Sequence, residues 1–525
     1  MSGSETVVVG GSGGGDEHSG GGGGDLTDHL ISTSTWSDED VAAAGIPIRD
    51  AKVVSIGGGL GSLALVDTLR ISGVAADDIV VLGDHEVPSA TYEYLAANSQ
   101  IPRHERLRSD AGSVMDNIWG FPSYALREAW AKKSPKRVWQ VVTEPVLSEY
   151  FTPQAGQVYE SVRRETQRIG WSQMLRLGFA RMVRRRRGGG YFVVHTPENP
   201  GGGPKRVAYR TQNVHIAIGY PGVAFLPDLQ AYRDEHQDFH RVVNAYEPHD
   251  HVYSQAASRP TTVLVRGSGI VASRILQRLI DDIEGNGAQT RIVHLFRNYV
   301  GGPQGDDPKF TRPGANGFAY QAFNYPKAAW GGQLRHRLEQ LEGDARSELL
   351  DQMGGTNTAP RKDWQQQIDR GMKAGFYSQS IGTVTSVEPV DGSEQITTTI
   401  TNRAGDTQVI TADFIIDATG LLARLEDHRL MADLLEHAGA GKNPKGRLDV
   451  DHSFSVRGVD EGTGRVYASG SMTLGGYYAG VDSFLGLQYA AMRIADDMAA
   501  RGEVRRLGSL RSMSQWTRWM RNVAP

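Results

Sequence analysis

Short apolar runs and helically spaced stretches alternate along most of the chain. Val53-Val54-Ser55-Ile56 is an apolar run closed by glycine, which predicts a buried strand, and Leu63 to Arg70 has helical spacing and stops at Gly73. Ile79-Val80-Val81-Leu82 predicts a second strand, ending at Gly83-Asp84. The pattern returns at Val263-Leu264-Val265-Arg266, a glycine turn, a helix, and Arg291 to Phe296, ending at Arg297. Between these units the spacing predicts a helix around Trp171 to Arg187, halted by three glycines. A β-meander follows, with Tyr191–Val194 and Val207–Tyr209, and then a strand from Asn213 into Gly219-Tyr220-Pro221. Alternation at Thr383–Val387 and Ile396–Ile400 predicts a hairpin, and Phe414 to Asp417 a strand running into Ala418-Thr419-Gly420. A short strand at Val466-Tyr467-Ala468, a turn at Ser469-Gly470-Ser471 and a helix from Leu487 to Met498 close the series. The class is α/β, with strands and helices alternating as in parallel sheets.

Two stretches break the pattern. Residues 1–45, rich in Gly, Ser and acidic side chains, are expected to be a flexible tail. Residues 301–370 are expected to be an insertion, with a Gly/Pro/aromatic part from Phe310 to Trp330 and a charged helical part from Gln333 to Met353. It would serve as a lid, a substrate wall or an oligomer contact.

The glycine turns carry the candidate chemistry. A diphosphate is held where glycines let the backbone approach and a helix N-terminus offers unpaired N–H groups. Gly57, Gly58, Gly59 and Gly61 form the first such turn, with Ser62 at its third fingerprint position. Asp84 follows at the distance of an acceptor for adenosine ribose hydroxyls. In the second turn Gly267, Ser268, Gly269 and Ala272 satisfy every fingerprint position. Arg297 stands where an acid would select NAD; its guanidinium can fork onto a 2′-phosphate, so NADP is preferred. An ordinary tight βα turn and a solvated strand end are the competing readings. Gly219, Gly420, Gly470 and Ser471 sit in turns where a backbone can pass close to a cofactor.

Asn117, Trp119 and Tyr124 fall in a Pro/Gly/aromatic loop suited to border a flat ring or substrate, although Trp119 and Phe121 would serve equally as loop anchors. Asn244 and Asp482 are further substrate candidates by position. The basic run Arg184–Arg187 is read as a helix C-terminus rather than a polyanion site.

Composition narrows the chemistry. At 525 residues the chain holds several domains, and its formal net charge of −4 with a pI near 6.4 makes no polybasic case for nucleic acid or an anionic membrane. There is no apolar run of transmembrane length and no secretory pattern at the start, so the expectation is a cytoplasmic protein whose partners are small molecules. Zero cysteine excludes disulfides, thiolate metal sites and Cys-x-x-Cys redox pairs. Redox chemistry here would need a bound cofactor. His249-Asp250-His251 has no third ligand in view, so no metal is expected.

Taken in order, the two fingerprints, Ala217-Ile218-Gly219-Tyr220-Pro221, Asp417-Ala418-Thr419-Gly420 and Val466 to Ser471 make the chain resemble the two-dinucleotide-binding-domain FAD/NAD(P)H flavoproteins. Within these it resembles the flavin monooxygenase-like branch, the N-hydroxylases and Baeyer–Villiger enzymes. The resemblance implies two Rossmann-like domains, the NAD(P)-binding one (251–415) inserted into the FAD-binding one (46–250 and 416–525). It implies FAD on the first turn and the late strand, NADPH on the second turn, and hydride transfer to the flavin. The implied function is an FAD-dependent NAD(P)H oxidoreductase, a monooxygenase of a small organic substrate. The alternatives are a reductase passing electrons to a quinone or protein acceptor, and a non-catalytic flavin-binding sensor. Three departures stand out: Ser62 replaces glycine, Ser471 stands where the family usually has an Asp, and the signature expected near Asn244 is incomplete.

Overall fold

The computed structural model describes residues 24–107, 122–147, 151–198, 203–297, 333–353, 362–422, 424–460 and 462–525. Its first strands are β1 (Thr35–Trp36), β2 (Ile48–Asp50), β3 (Val53–Ile56) and β4 (Ile79–Gly83). Then come β5 (Leu175–Arg186), β6 (Tyr191–Pro197), β7 (Val207–Thr211), β8 (Asn213–Ile216) and β9 (Gly222–Val223). β10 (Val242–Asn244), β11 (Thr261–Arg266), β12 (Thr290–Phe296) and β13 (Tyr377–Ile381) follow. The last are β14 (Thr383–Pro389), β15 (Ile396–Thr401), β16 (Thr407–Ala412), β17 (Phe414–Asp417), β18 (Leu421–Leu422) and β19 (Arg465–Ala468).

The first sheet has the order β19-β8-β3-β4-β5-β6-β7-β2, with β1 beside β5. From β19 to β5 the neighbours are parallel, and every residue of β3, β4 and β8 is buried. Helices cover a parallel sheet on both faces, which is why β4 reads as an unbroken apolar run and β3 as one interrupted only by Ser55. The helices Leu60–Ile71 and Phe484–Ala500 pack together on it, far apart in sequence, and Leu63, Val66, Leu69, Ala490 and Ile494 share its core.

A second, all-parallel sheet has the order β10-β17-β11-β12-β13. All its strands fall between β8 and β19 in the chain. It takes in β10 and runs through Asp417, so it reaches a few residues beyond 251–415 on both sides. The helix Ile270–Asn286 covers one face, and the antiparallel sheet β14-β15-β16 meets the other through Ile396, Ile400 and Ile410.

Two expectations are corrected. Residues 24–45 are not a flexible tail: they hold helices Asp28–Ser32 and Asp38–Ala43 around β1. Leu30, Trp36 and Val41 are buried against Met182, Phe192 and Val194, and the Trp36 indole N–H donates to the Leu30 carbonyl at 3.0 Å. A few well-spaced apolar anchors outweigh a polar average composition. The stretch from Trp171 to Arg187 is not one helix. Only Trp171–Met174 is helical, and the rest is the long strand β5, held by β4, β1 and β6. Pairing on both edges overrides the helical spacing of Leu175, Phe179 and Met182.

The arginines of that strand are internal clamps. Arg184 is fully buried, forks onto Asp433 at 2.5 and 2.8 Å, and donates to the carbonyls of Thr33 and Ile31. Arg186 forks onto Asp38, and Arg185 donates to the Ala438 and Gly458 carbonyls. Replacing Arg184 with Leu strands the Asp433 carboxylate and is expected to cost about 3–5 kcal/mol, read as a lower urea midpoint. Unchanged stability in Arg184→Leu would show that the clamp carries no load.

Candidate functional site

The first turn is built by close backbone approach. Gly57 has φ +122°, and a Cβ there would lie 2.2 Å from the Ala217 carbonyl oxygen at the end of β8. Its N–H donates to the Leu82 carbonyl at 2.8 Å, and Ala217 N–H donates to the Ile56 carbonyl at 2.8 Å. Three parallel strands are thereby tied at their carboxyl ends, where open α/β sheets bind ligands. Gly58 (φ +62°) packs on Gly83, and Gly59 starts the helix Leu60–Ile71 with no side-chain cap. Its first N–H groups are left for a ligand.

The second turn repeats this geometry. Gly267 has φ +121°, a Cβ there would lie 2.6 Å from the Ala418 carbonyl oxygen, and its N–H donates to the Leu295 carbonyl at 3.0 Å. Ala418 N–H donates to the Arg266 carbonyl at 2.8 Å, as Ala217 does to Ile56. Gly269 starts the helix Ile270–Asn286 uncapped, Ser268 lies in the turn, and Ala272 is fully buried. Gly219 and Gly420 are equivalent as well, each two residues past its alanine, each with positive φ and open space where a Cβ would stand. Since Leu82 and Leu295 play the same part, Asp84 and Arg297 occupy equivalent positions with opposite charge. Arg297 is exposed and Asp84 half-buried.

A cleft lies over the first turn. Gly57, Gly59, Gly61, Asp84, Gly219, Gly470, Ser471 and Asp482 line it, so the structure gathers residues from five separate parts of the sequence. Ser471 donates to the Gly219 carbonyl at 2.6 Å, and Asp482 accepts from the Tyr220 hydroxyl at 2.5 Å. The helix Phe484–Ala500 begins at Ser483, whose hydroxyl accepts from Gly486 N–H at 3.0 Å, and Leu487 faces the cleft. Its start lies three residues before the expected Leu487.

Sequence reasoning missed Tyr92, Phe179, Arg181, His428 and Arg429, which complete the wall. They come from scattered elements with no local motif. Arg181 and Arg429 favour an anion. Buried His428 Nδ1 has no hydrogen-bond partner among the described residues, and burial pushes that imidazole down to about 4. A diphosphate joined to a ribose fits this donor set: a cradle a Cβ would fill, uncapped helix N–H groups, cations and a carboxylate at the strand end.

Other candidates lie elsewhere. Asn244 is fully buried, with its amide donating to the Ala224 carbonyl (2.8 Å) and accepting from Tyr246 N–H (3.0 Å), so it shapes a turn. Tyr124 is part of the hydrophobic core, outside the cleft. Asn117 and Trp119 fall outside the described residues. His249 and His251 are engaged with Glu247 O, the Tyr253 hydroxyl and His240 O, and no cluster of three metal-ligating side chains occurs among the described residues.

Ser62 has a partner that accounts for it. It is fully buried, and Ser55 Oγ lies 2.9 Å away, His215 Nδ1 a further 2.9 Å on, and His215 Nε2 is 2.9 Å from Ser469 Oγ. This chain crosses β3, β8 and the end of β19, joining the first turn to the late strand. With Ser55 donating to Ser62 and His215 Nδ1–H donating to Ser55, Nε2 accepts from Ser469, so one neutral tautomer serves the whole chain.

No protein-family profile matches the chain, and no curated protein matches it in sequence. Solved structures do match in shape. The FAD-bound cadaverine monooxygenase DfoA from Erwinia amylovora aligns at TM-score 0.63 and 14% identity, covering 88% of this chain and 97% of that one. The chain has the two-dinucleotide-binding-domain flavoprotein fold. Ornithine hydroxylase PvdA from Pseudomonas aeruginosa aligns at TM-score 0.59 and 15% identity over 86% of this chain and all of that one. The ornithine N-hydroxylase KtzI of Kutzneria sp. 744, solved with reduced FAD, NADP+ and L-ornithine, gives TM-score 0.59 and 14% identity over the same shares. No helix among the described residues is long and apolar enough to cross a membrane.

Burial holds His215 down to about 3 and His195 and His294 down to about 4, as it does His428. All four are neutral when folded, whereas their unfolded imidazoles take up protons near pH 6.5. The unfolded state therefore binds more protons from about pH 6.5 down to about 4, and stability falls as pH falls, by about 1.4 kcal/mol per pH unit for each histidine. Asp417 and Asp281, both pushed up by burial, oppose this. Urea midpoints measured from pH 7.5 downward should drop below pH 6.5, and His215→Leu should flatten the slope by one proton. A midpoint that stays level to pH 5 would contradict the buried-neutral assignment.

Proposed function

We propose that the protein is an FAD- and NADPH-dependent oxidoreductase, a monooxygenase acting on a small amine. The observation that carries the reading is the duplicated turn with Asp84 at one strand end and Arg297 at the equivalent end of the other. A carboxylate accepts from ribose hydroxyls and repels a 2′-phosphate, whereas a guanidinium attracts it. FAD is assigned to the first turn and its cleft, NADPH to the second. A bound flavin supplies hydride acceptance and oxygen activation. The chain's own residues hold and orient: the N–H groups after Gly59 and the guanidiniums of Arg181 and Arg429 take the diphosphate, and Leu487 excludes water.

The amine is suggested by similar folds that act on ornithine and cadaverine. Asp482 supports it from within the chain. Its carboxylate lies at the cleft with the Tyr220 hydroxyl, and Tyr246 is pushed up to about 12 by burial and by the charge of Asp482. A negative site among desolvated phenols attracts an ammonium group.

Anaerobic titration with NADPH should bleach a bound-flavin band, with NADH much less effective. Asp84→Ala should weaken FAD retention about 10–100-fold through loss of charged hydrogen bonds, measured by flavin release on dialysis. Arg297→Glu should raise the KM for NADPH by a similar factor and leave that for NADH unchanged; equal effects on both would remove Arg297 from the phosphate site. Ornithine, lysine or cadaverine should accelerate NADPH oxidation with formation of a hydroxylamine. Should none do so while quinones outpace oxygen as acceptors, the electron-transfer reading replaces the monooxygenase one.

A further inference from the structure

The helices Pro122–Lys132, Lys136–Leu147 and Ser509–Met520 leave large apolar side chains in water. Trp130 is 89% exposed, Leu510 86%, Met513 69% and Trp139 65%. In the last helix Leu510, Met513, Trp516 and Met520 recur every three or four residues, forming one outward stripe. That orientation is fixed from behind. Trp519 is buried, with the guanidiniums of Arg127 and Arg164 5.3 and 5.4 Å from its ring, so the first and last of these helices are locked together.

Charge identifies the occupant. Residues 122–147 hold five basic and two acidic side chains, and residues 501–525 six basic and one acidic, in a chain of net charge −4. One of the acids, Glu128, is buried beneath Arg106, Lys132 and Arg137. Lys133, Lys136, Arg505, Arg506, Arg518 and Arg521 are exposed. The near-neutral total conceals this segregation, which the composition alone could not reveal. A second copy would bring the same positive charge against itself, and like charges facing each other oppose pairing. Exposed Trp, Met and Leu among Arg and Lys match the interface of an anionic bilayer, where indoles sit at headgroup depth and cations meet lipid phosphates. We propose that this face docks the protein peripherally on an anionic lipid surface, its stripe entering the headgroup layer.

Flotation of the full-length protein with vesicles tests this. It should rise with phosphatidylcholine vesicles containing phosphatidylglycerol, stay behind with phosphatidylcholine alone, and be released by high salt. Arg518→Glu with Arg521→Glu should weaken binding to the mixed vesicles roughly thirtyfold or more. Met513→Ser with Trp516→Ser should weaken it comparably while circular dichroism and unfolding midpoint stay unchanged, because all four side chains are exposed. Absence of flotation, equal flotation on both vesicle types, or double variants that float like the wild type would each overturn the proposal. So would a wild-type dimer in sedimentation that the Met513→Ser, Trp516→Ser variant splits, since the face would then belong to a second copy.

Discussion

The structure depends on backbone packed against backbone at two points. At Gly57 and at Gly267 a turn presses on the carbonyl of the neighbouring crossover strand so closely that a Cβ would stand 2.2 or 2.6 Å from the oxygen. Each residue there also has a φ that L side chains avoid. Any other residue type would push the three strand ends apart. Those ends set the register of β3, β4 and β8, place the uncapped helix starts, and bring Ala217 and Ala418 to where the chain passes between the two sheets. The cleft wall follows from that closure.

The Ser62 chain shows how a departure from the usual pattern is absorbed. A third small residue in the fingerprint allows the helix to approach its strand. Serine adds a hydroxyl inside a water-free interface, where an unpaired one would cost about 1–3 kcal/mol. Here the hydroxyl belongs to Ser62–Ser55–His215–Ser469, which has a partner at each link. The arrangement exchanges generic packing for directional contact between the first turn and the late strand. Its consequence is a buried imidazole that must remain neutral, so the same feature that fixes the cradle makes it sensitive to acid.

Much of this was legible in the sequence because parallel strands and their turns are locally encoded. Val53–Ile56, apart from Ser55, and Ile79–Leu82 throughout are apolar and buried, and Gly57 and Gly267 are glycine because nothing else fits. What was not legible came from contacts between distant segments. Leu175, Phe179 and Met182 have helical spacing, yet β4, β1 and β6 make that stretch a strand. Trp36 and Leu30 look isolated in a polar region until Phe192 and Met182 arrive beside them. Arg181, His428 and Arg429 reach the cleft only through the fold. Asn244 and Tyr124 show the converse: polar or aromatic character near a motif does not distinguish a turn former or a core residue from a ligand.

On the proposed reading, the two units divide their labour through one side chain each. The backbone of both turns is the same to within a few tenths of an ångström in its defining hydrogen bonds, so the backbone itself offers no basis for telling one diphosphate from another. Discrimination must come from what stands two residues past the leucine whose carbonyl receives the glycine N–H. Asp84 there rejects an added phosphate and Arg297 rewards it. A single chain can thus keep one nucleotide resident and exchange the other. Among the described residues the asymmetry extends to enclosure: the first turn lies under a cleft walled by β5, the turn after β19 and the helix Phe484–Ala500, whereas Arg297 is exposed. A ligand that must remain through turnover belongs in the enclosed site, and one that must leave after delivering its hydride belongs at the open edge.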